Sequence, residues 1–514
     1  MTFAAEMNAL APLLGVVLAA AAVLLLTVAP GAAAARRAPL PGISGHLALL
    51  ALLALGGAIL QFCRQAGAAG PSVLHGALIF DGLTAAFGLV AALAAAGSLL
   101  FAVPYLEQQG LEVGEFIALL LLACAGMLIL VAAGDLLVLF IGLEIMSLAA
   151  YVLAGYRRRS RRAQEAALKY FIYGAFAAGF TLYGLALIYG EVGLATTTPR
   201  LDWAAIAAAY GGDRVSPAGW FGAALVLSGL AFKIAAAPLH MWAPDVYDGA
   251  PTPAGGFLAV GLKAAAFAGL CRFLAAIAPA PQAPLHGPCV VAIGLLAATS
   301  MLMGNLLALR QRQLKRLLAY SSVAHAGYAL LGVVAFLAQP GGAGLPALAY
   351  YLVTYAGMTL GAFGVVALVE ARDPERVDLG LERLPGLAQR QPGAAMALAV
   401  CLLGLAGLPP AAGFAGKLGL LLAAVNAGQL PLAAVAVVAS ALGVAYYLRI
   451  LLAAFSPAPS SALAYLAPGG GTQGITTGAW QGLGLALCAG LVLILGLFPE
   501  LYLAFASRVL LGWS

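Results

Sequence analysis

Charged residues are scarce in this sequence: Asp, Glu, Lys and Arg make up 9% of the 514 residues, whereas a soluble domain carries about 25%. Hydrophobic residues make up 63%, and apolar stretches of about 20 residues, long enough to cross a bilayer, recur along the whole chain. These proportions leave no room for a soluble domain of ordinary size. They predict an all-α integral membrane protein with about 14 transmembrane helices.

Motifs that bind nucleotides or redox cofactors are also missing. The sequence has no Walker loop, no Gly-x-Gly-x-x-Gly between a strand and a helix, and no ligand set for haem or an iron-sulfur cluster. The cysteines lack the paired spacing of metal ligands and are interpreted as small buried apolar residues. They are Cys63, Cys124, Cys271, Cys289, Cys401 and Cys488. We therefore expect no cofactor and no metal in this chain, and an energy source that is either an ion gradient or a partner.

The excess positive charge, +6 at neutral pH, lies in loops rather than on a basic face with interleaved aromatics, which argues against nucleic acid. With fourteen spans the main basic loops all fall on one side, which the positive-inside rule makes cytoplasmic. These loops are Arg36-Arg37, Arg157 to Arg162, Arg310 to Arg316 and Arg372 to Arg390. Both termini are then predicted to be periplasmic.

Prolines interrupt two predicted spans. Pro238 follows Lys233, and Pro409-Pro410 precedes Lys417. A proline inside a helix removes a backbone donor and clashes with the preceding turn, so both helices should be broken. Within a membrane, the freed backbone groups must line protein or water, and broken helices are therefore a pointer to a transport site.

Ionisable residues lie in the middle of four predicted spans: Glu144, Lys233, Lys263 and Lys417. Insertion scales put a central charge at about 2.5 to 3.5 kcal/mol, so each must be compensated. Static ion pairs between helices are one reading. Four groups at one depth, two of them beside helix breaks, favour proton transfer, because the proton affinity of each buried group depends on the charge of its neighbour.

Two histidines are secondary relay candidates. His325 follows Ser321 and Ser322 and precedes Tyr328 at helical spacing, which places a polar stripe on one helix face that could order water. Histidine titrates near neutral pH and could pass protons between lysines, although a hydrogen-bonded packing role is the alternative. His240, after the first helix break, is the weaker candidate of the two.

Lys169 is the remaining relay candidate. It could bias the charge of Glu144, or its side chain could reach toward the nearby membrane surface. Asp245 and Asp248 could form a metal site with His240, but Pro and Gly in this stretch predict a tight loop, where Asp side chains more often cap turns.

Four segments resemble the antiporter-like membrane subunits of respiratory complex I, and the match covers most of the chain. The segments are Gly134 to Glu144, Phe232 to Pro253, Arg316 to His325 and Gly407 to Lys417. The resemblance implies two inverted five-helix repeats containing broken helices, and a proton path along a central axis. It carries the family's proton-transfer positions onto Glu144, Lys233, Lys263 and Lys417.

The implied division of the chain has four parts: helices 1–3 in residues 1–113, a first repeat of helices 4–8 in residues 114–277, a second repeat of helices 9–13 in residues 278–455, and a loop with helix 14 in residues 456–514. We place the last helix from Trp480 to Ala506. The two candidate lysines beside the helix breaks would then occupy related positions in the two repeats.

The resemblance also implies partners and a location. NADH, flavin, iron-sulfur clusters and quinone are expected in partner subunits, and the neighbours would be an adjacent antiporter-like subunit and a small K-like subunit in a bacterial inner membrane. Two alternatives stay open. One is a subunit of a multisubunit cation/proton antiporter without a redox partner, and the other is a scaffold whose buried charges only hold helices together.

Overall fold

The computed structural model describes residues 3–28, 43–64, 70–196, 199–371, 379–457, 478–510 and 513, which are almost entirely helical. The α-helices are Phe3–Val28, Ile43–Arg64, Gly82–Gln109, Val113–Val131, Leu136–Ala154, Arg161–Ala195, Trp203–Tyr210, Pro217–Lys233, Trp242–Gly249, Thr252–Phe257, Lys263–Ile277, His286–Leu309, Leu314–Ala338, Gly344–Glu370, Leu387–Arg390, Pro392–Ala406, Ala412–Asn426, Leu430–Phe455, Ala479–Leu497 and Glu500–Leu510. The remaining described elements are a π-helical turn, two 3-10 turns and a short antiparallel strand pair, namely Leu258–Leu262, Leu74–Gly76, Leu381–Arg383, and Ser72–Val73 with Leu78–Ile79.

Twelve continuous helices in the described part have the length and hydropathy to cross a bilayer. Two further crossings are interrupted, and with them the described part has fourteen. The all-α integral membrane fold with two broken spans is therefore confirmed. Of the predicted basic loops, Arg36-Arg37 and residues 372–378 lie outside the described residues.

The first break separates Pro217–Lys233 from Trp242–Gly249. The backbone groups freed there are bonded to side chains of a neighbouring helix: Ala237 N–H donates to Ser300 Oγ at 2.8 Å, and Ala237 C=O accepts from Thr299 at 3.1 Å. Irregular backbone inside a membrane needs such partners from the protein, because lipid offers no hydrogen-bonding groups. The prediction of a tight loop after the break was wrong: a helix forms, because its proline falls in the first turn, where no intrahelical N–H donor is required.

The second break separates Pro392–Ala406 from Ala412–Asn426. The first half ends at Gly407, which has a left-handed φ of 80° and closes the helix with its N–H on Gly404 C=O at 2.9 Å. Glycine suits this position because it has no Cβ to clash in that conformation. The second half-helix then passes directly against the first, with Gly413 facing Gly404.

Replacing Gly413 with Ala is expected to destabilise the chain by about 2 kcal/mol or more, because overpacking forces backbone shifts. A Cβ at this position would lie 1.8 Å from Gly404 O, which belongs to rigid backbone of the other half-helix. The measurement is thermal unfolding of the purified protein in detergent. Gly419→Ala on the same helix is the matched control, since its nearest neighbour would be 3.9 Å away. Equal stability of the two variants would contradict the close-packed break.

The last predicted span is divided in the structure. Instead of one helix from Trp480 to Ala506, the chain forms Ala479–Leu497 and Glu500–Leu510. Pro499 explains the division, because proline disfavours a helical conformation in the residue before it and starts a new helix well.

Small residues bring helices into backbone contact at two similar hairpins, as small residues commonly do between membrane helices. A Cβ on Gly142 would lie 2.5 Å from Leu130 N in the preceding helix, and one on Gly327 would lie 2.6 Å from Met301 N in its own preceding helix. The first hairpin carries Glu144 and the second carries His325. The similarity accords with the predicted pair of repeats, whose boundaries stay a prediction.

A buried ion pair fastens one end of the helix that carries Lys263. Arg272 donates to both carboxylate oxygens of Asp81 at 2.8 and 2.7 Å, and its Nε donates to Val131 C=O at 2.9 Å. Asp81 also accepts from the indole of Trp513 at 2.8 Å. Burial tends to raise the pKa of Asp81, but the Arg272 charge and hydrogen bonds hold it below its ordinary value of 3.8.

Candidate functional site: a row of buried lysines and histidine

Lys233 is the last residue of its half-helix, and its side chain is enclosed by hydroxyls and aromatic rings. It is 2% exposed. The ammonium donates to Ser147 Oγ at 2.7 Å and to Tyr151 OH at 3.3 Å. It also lies 5.3 and 5.8 Å from the ring centroids of Tyr151 and Tyr170, within the range of cation–π attraction. The hydroxyl dipoles and the aromatic ring faces therefore stabilise the positive charge of Lys233.

Glu144 lies on the helix that supplies the hydroxyls of Ser147 and Tyr151. Its carboxylate is close enough to attract the Lys233 ammonium, although no direct ion pair joins them in the described part of the chain. The predicted neighbourhood of Glu144 and a lysine is thus present, and one buried oxygen of this carboxylate has no hydrogen-bond partner in the described part of the chain.

Lys263 begins the α-helix that follows the π-helical turn. Such turns are rare and frequently lie at functional sites. The ammonium donates to both Ser322 O at 2.7 Å and Ser322 Oγ at 2.6 Å, and Tyr355 OH donates to the same hydroxyl at 2.9 Å. No carboxylate pairs with Lys263 in the described residues, so its charge is compensated by Ser322 alone.

His325 lies between Lys263 and Lys417 and interacts electrostatically with both. Its Nδ1 is 2.6 Å from Tyr351 OH and its Nε2 is 3.0 Å from Tyr447 OH. Since a phenolic hydroxyl can donate or accept, each ring nitrogen can either hold or receive a proton without losing its partner. This environment differs from that of a packing histidine with one fixed tautomer.

Lys417 lies in the second half-helix, but its ammonium reaches the end of the first. It donates to Leu405 O at 2.9 Å, Ala406 O at 3.2 Å and Ser440 Oγ at 3.2 Å. These carbonyls belong to the last turn of the first half-helix, where the helix dipole favours a positive charge. The lysine lies 4.7 Å above the Tyr328 ring.

The two outer candidates have different surroundings. His240 is buried, interacts electrostatically with Lys263, and has an Nδ1 without a hydrogen-bond partner in the described part. Lys169 instead contacts Asp245 at 2.8 Å and Glu165 at 2.6 Å near the membrane surface. His240 therefore lies beside the lysine row, whereas the contacts of Lys169 do not include it.

Asp245 also bonds Arg316 at 2.7 Å, so it joins two helices rather than capping a turn. In the ranges that the structure describes, no group of three or more His, Cys, Asp or Glu side chains could hold a metal ion.

The polar stripe predicted around His325 included Ser322 and Tyr328, which contact Lys263 and Lys417. Sequence reasoning missed the other hydroxyl groups of the site. Ser147, Tyr151, Tyr351, Tyr355 and Tyr447 come from other helices than the charged groups that they contact. The four-residue spacing of Ser147 and Tyr151, and that of Tyr351 and Tyr355, is a signal that could have found them, as a polar stripe on one helix face.

Two broken helices around a row of buried lysines and a histidine define an antiporter-like ion-transport membrane protein. Residues 133–443 match the family described as "NADH:quinone oxidoreductase/Mrp antiporter, TM". The chain belongs to this family.

Relatives and solved structures agree with this assignment. The chain is 42% identical over 482 residues to the "NADH-quinone oxidoreductase subunit N 1" of Sorangium cellulosum, covering 92% of each chain. It is 39% identical to the "NADH-quinone oxidoreductase subunit N" of Myxococcus xanthus, covering 78% and 79%. A chain of respiratory complex I from Thermus thermophilus matches with 34% identity, 96% and 99% coverage and a TM-score of 0.74. A chain of the Mrp complex from Dietzia matches with 25% identity, 99% and 97% coverage and a TM-score of 0.78.

Proposed function

We propose that this chain is a proton-translocating membrane subunit of an NADH:quinone oxidoreductase. The names of relatives at 39 to 42% identity support the complex. The observation that carries proton translocation is the lysine row itself: Lys263 and Lys417 are 2% and 7% exposed, and their ammonium groups are held by hydroxyls and carbonyls instead of carboxylates. Such groups can lose a proton without breaking an ion pair.

The proposed transfer depends on repulsion within the row. A proton on Lys263 makes a positive charge on His325 less favourable, and a proton on Lys417 does the same from the other side. Glu144 has the opposite effect on Lys233. Quinone chemistry in a partner subunit would change one charge, and the others would then release or bind protons in turn.

The finer assignments belong to this proposal. Residues 114–277 and 278–455 form the two inverted repeats, and proton transfer uses Glu144, Lys233, Lys263 and Lys417, with His325 and His240 as relays. The neighbours are an adjacent antiporter-like subunit and a small K-like subunit, and the redox cofactors lie in other subunits. The protein spans the bacterial inner membrane with both termini in the periplasm.

A cation/proton antiporter without a redox partner is the second candidate, because the chain from the Mrp complex matches over 99% of this chain. A deletion strain separates the two. Loss of NADH-driven proton pumping supports the oxidoreductase, whereas loss of sodium tolerance with intact respiration supports the antiporter.

Replacing Lys233 with Ala in the assembled complex is expected to lower NADH-driven proton pumping in vesicles about tenfold, as losing a proton-transfer group does when nearby hydroxyls can still order water. Ser147 and Tyr151 supply those hydroxyls. Ser228→Ala is the control, because Ser228 lies exposed on the same helix and bonds only its own backbone. Undiminished pumping with undiminished quinone reduction would overturn the role of Lys233, and a scaffold role predicts that result.

A further inference from the structure

A second group of buried charges lies at the end of the Lys263-bearing helix opposite to Arg272. Glu370 accepts hydrogen bonds on Oε1 from Arg157 at 3.0 Å and from Lys315 at 3.3 Å, and on Oε2 from the Thr252 hydroxyl. The transfer proposed above does not use these residues. We call them the Glu370 cluster.

The Glu370 cluster adjoins a cavity at the protein surface. Arg157 lines a surface cavity of 710 Å³ together with Glu112 and Glu115. The Glu370 side chain is 12% exposed and that of Arg157 is 19% exposed. The carboxylate is therefore within reach of surface water, while most of its surface packs against protein.

Three buried hydroxyls between the Glu370 cluster and Lys263 have no hydrogen-bond partner in the described part: those of Tyr105, Tyr247 and Thr359. Each side chain is at most 4% exposed. Tyr105 lies close to Glu370, and Tyr247 lies close to Ser322. A buried hydroxyl without a partner is costly, and ordered water usually satisfies it.

Ser322 connects these hydroxyls to the lysine row. It accepts from Lys263 at 2.6 Å and from Tyr355 at 2.9 Å. Thr359 follows Tyr355 by one helical turn, and the same helix ends at Glu370. On this helix the polar side chains Tyr355 and Thr359 lie near Ser322, and residues 360–369 before Glu370 are apolar. Tyr105, on another helix, is the hydroxyl close to Glu370 itself.

The opposite end of the Lys263-bearing helix is closed. Arg272 donates hydrogen bonds to both carboxylate oxygens of Asp81, and the Trp513 indole donates a further hydrogen bond to the same carboxylate. The side chains of Asp81 and Arg272 are 9% and 3% exposed. The three partnerless hydroxyls near Lys263 thus lie on the Glu370 side, whereas Asp81 and Arg272 bond each other at the opposite end.

We propose that Glu370 is the proton-uptake residue of this chain, passing protons to Lys263 through water held by Tyr105, Tyr247 and Thr359. The inference rests on the proposed function. In each transfer a proton from surface water neutralises the Glu370 carboxylate, which costs its ion pairs with Arg157 and Lys315. The carboxylate therefore passes the proton on to the internal water, which protonates neutral Lys263, and the ion pairs form again. Arg157 and Lys315 stay protonated and orient the carboxylate, and no electrons move.

The decisive experiment removes two of the three partnerless hydroxyls, those of Tyr247 and Thr359. The Tyr247→Phe, Thr359→Val double variant in the assembled complex is expected to lower NADH-driven pumping about tenfold, because the remaining groups still order some water. A purely structural role predicts no loss of pumping, since both hydroxyls have polar neighbours, Ser322 and Tyr355, but no partner at hydrogen-bonding distance in the described protein. Tyr502→Phe is the matched control, a buried hydroxyl equally without a partner but on the last helix, away from the route. Full pumping by the double variant would overturn the proposal.

Glu370→Gln tests the uptake residue itself and is expected to lower pumping about a hundredfold. Glu370→Asp, which keeps the carboxylate, is expected to restore most of it. If Glu370→Gln fails to assemble, the double variant decides. The Lys263→Met variant separates failure of this route from failure of the proposed function. If Lys263→Met loses pumping and the Tyr247→Phe, Thr359→Val variant pumps normally, only the route is overturned. If Lys263→Met, Glu370→Gln and the double variant all pump normally, the proposed function is overturned.

Discussion

Replacing Lys263 with Met is expected to lower proton pumping by the assembled complex at least about a hundredfold, the usual effect of losing a proton-transfer group. Lys263 joins the two halves of the row, because both His325 and His240 interact with its charge. The measurement is NADH-driven acidification of vesicles, normalised to the amount of assembled complex.

Thermal unfolding of the same variant separates transport from scaffolding. Lys263 has no carboxylate partner in the described chain, and a buried charge of this kind costs free energy of folding. Met has a similar length and no charge, so Lys263→Met is expected to be at least as stable as the natural chain. A destabilised variant that pumps at the normal rate per complex would show that Lys263 only holds helices together.

Replacing Arg272 with Met is expected to lower the free energy of unfolding by about 3 to 5 kcal/mol, because it leaves the buried Asp81 carboxylate unpaired. The measurement is thermal unfolding of the purified protein. Adding Asp81→Asn should recover much of the loss, since it removes the unpaired charge and keeps an acceptor for Thr84 N–H, 2.9 Å from Asp81 in the natural chain. If the double variant is less stable than Arg272→Met, the pair is not the cause.

The effect of Arg272→Met should also depend on pH. In the natural chain the pKa of Asp81 is lowered, so the stability gained from the ion pair is fully present above its ordinary pKa of 3.8 and is lost as pH falls through the lowered value. In the variant, burial without the arginine raises that pKa. The difference in stability between the two chains should therefore shrink as pH falls from 7 toward about 4.

The sequence predicted the fold because bilayer thickness sets helix length, and because the prolines after Lys233 and before Lys417 interrupt their helices. Pro12 and Pro104, in contrast, lie inside continuous helices. It could not give the partners of the charged groups. Tyr447 is 122 residues away from His325, and Asp81 is 191 residues away from Arg272. Hydropathy records that a side chain is costly to bury, but only helix packing decides which hydroxyl compensates it.

Two local predictions were wrong, and both concern prolines. The stretch after Pro238 contains Pro and Gly, which usually indicate a loop, yet the position of Pro244 in the first helical turn allows a helix there. The last span was predicted as continuous because its apolar pattern continues past Pro499. In the first case the position of Pro244 within the helical turn decided the structure, and in the second case the presence of Pro499 divided the span.

The hydrogen bonds from Lys417 to Leu405 O and Ala406 O have a consequence for hydrogen exchange. The ammonium is the donor for carbonyls that a broken helix leaves open, so loss of its proton weakens the end of that half-helix. Amide protection near Gly404 and Gly407 should then report the charge of Lys417. Deuterium uptake at this break would follow protonation inside the membrane without any probe attached to the protein.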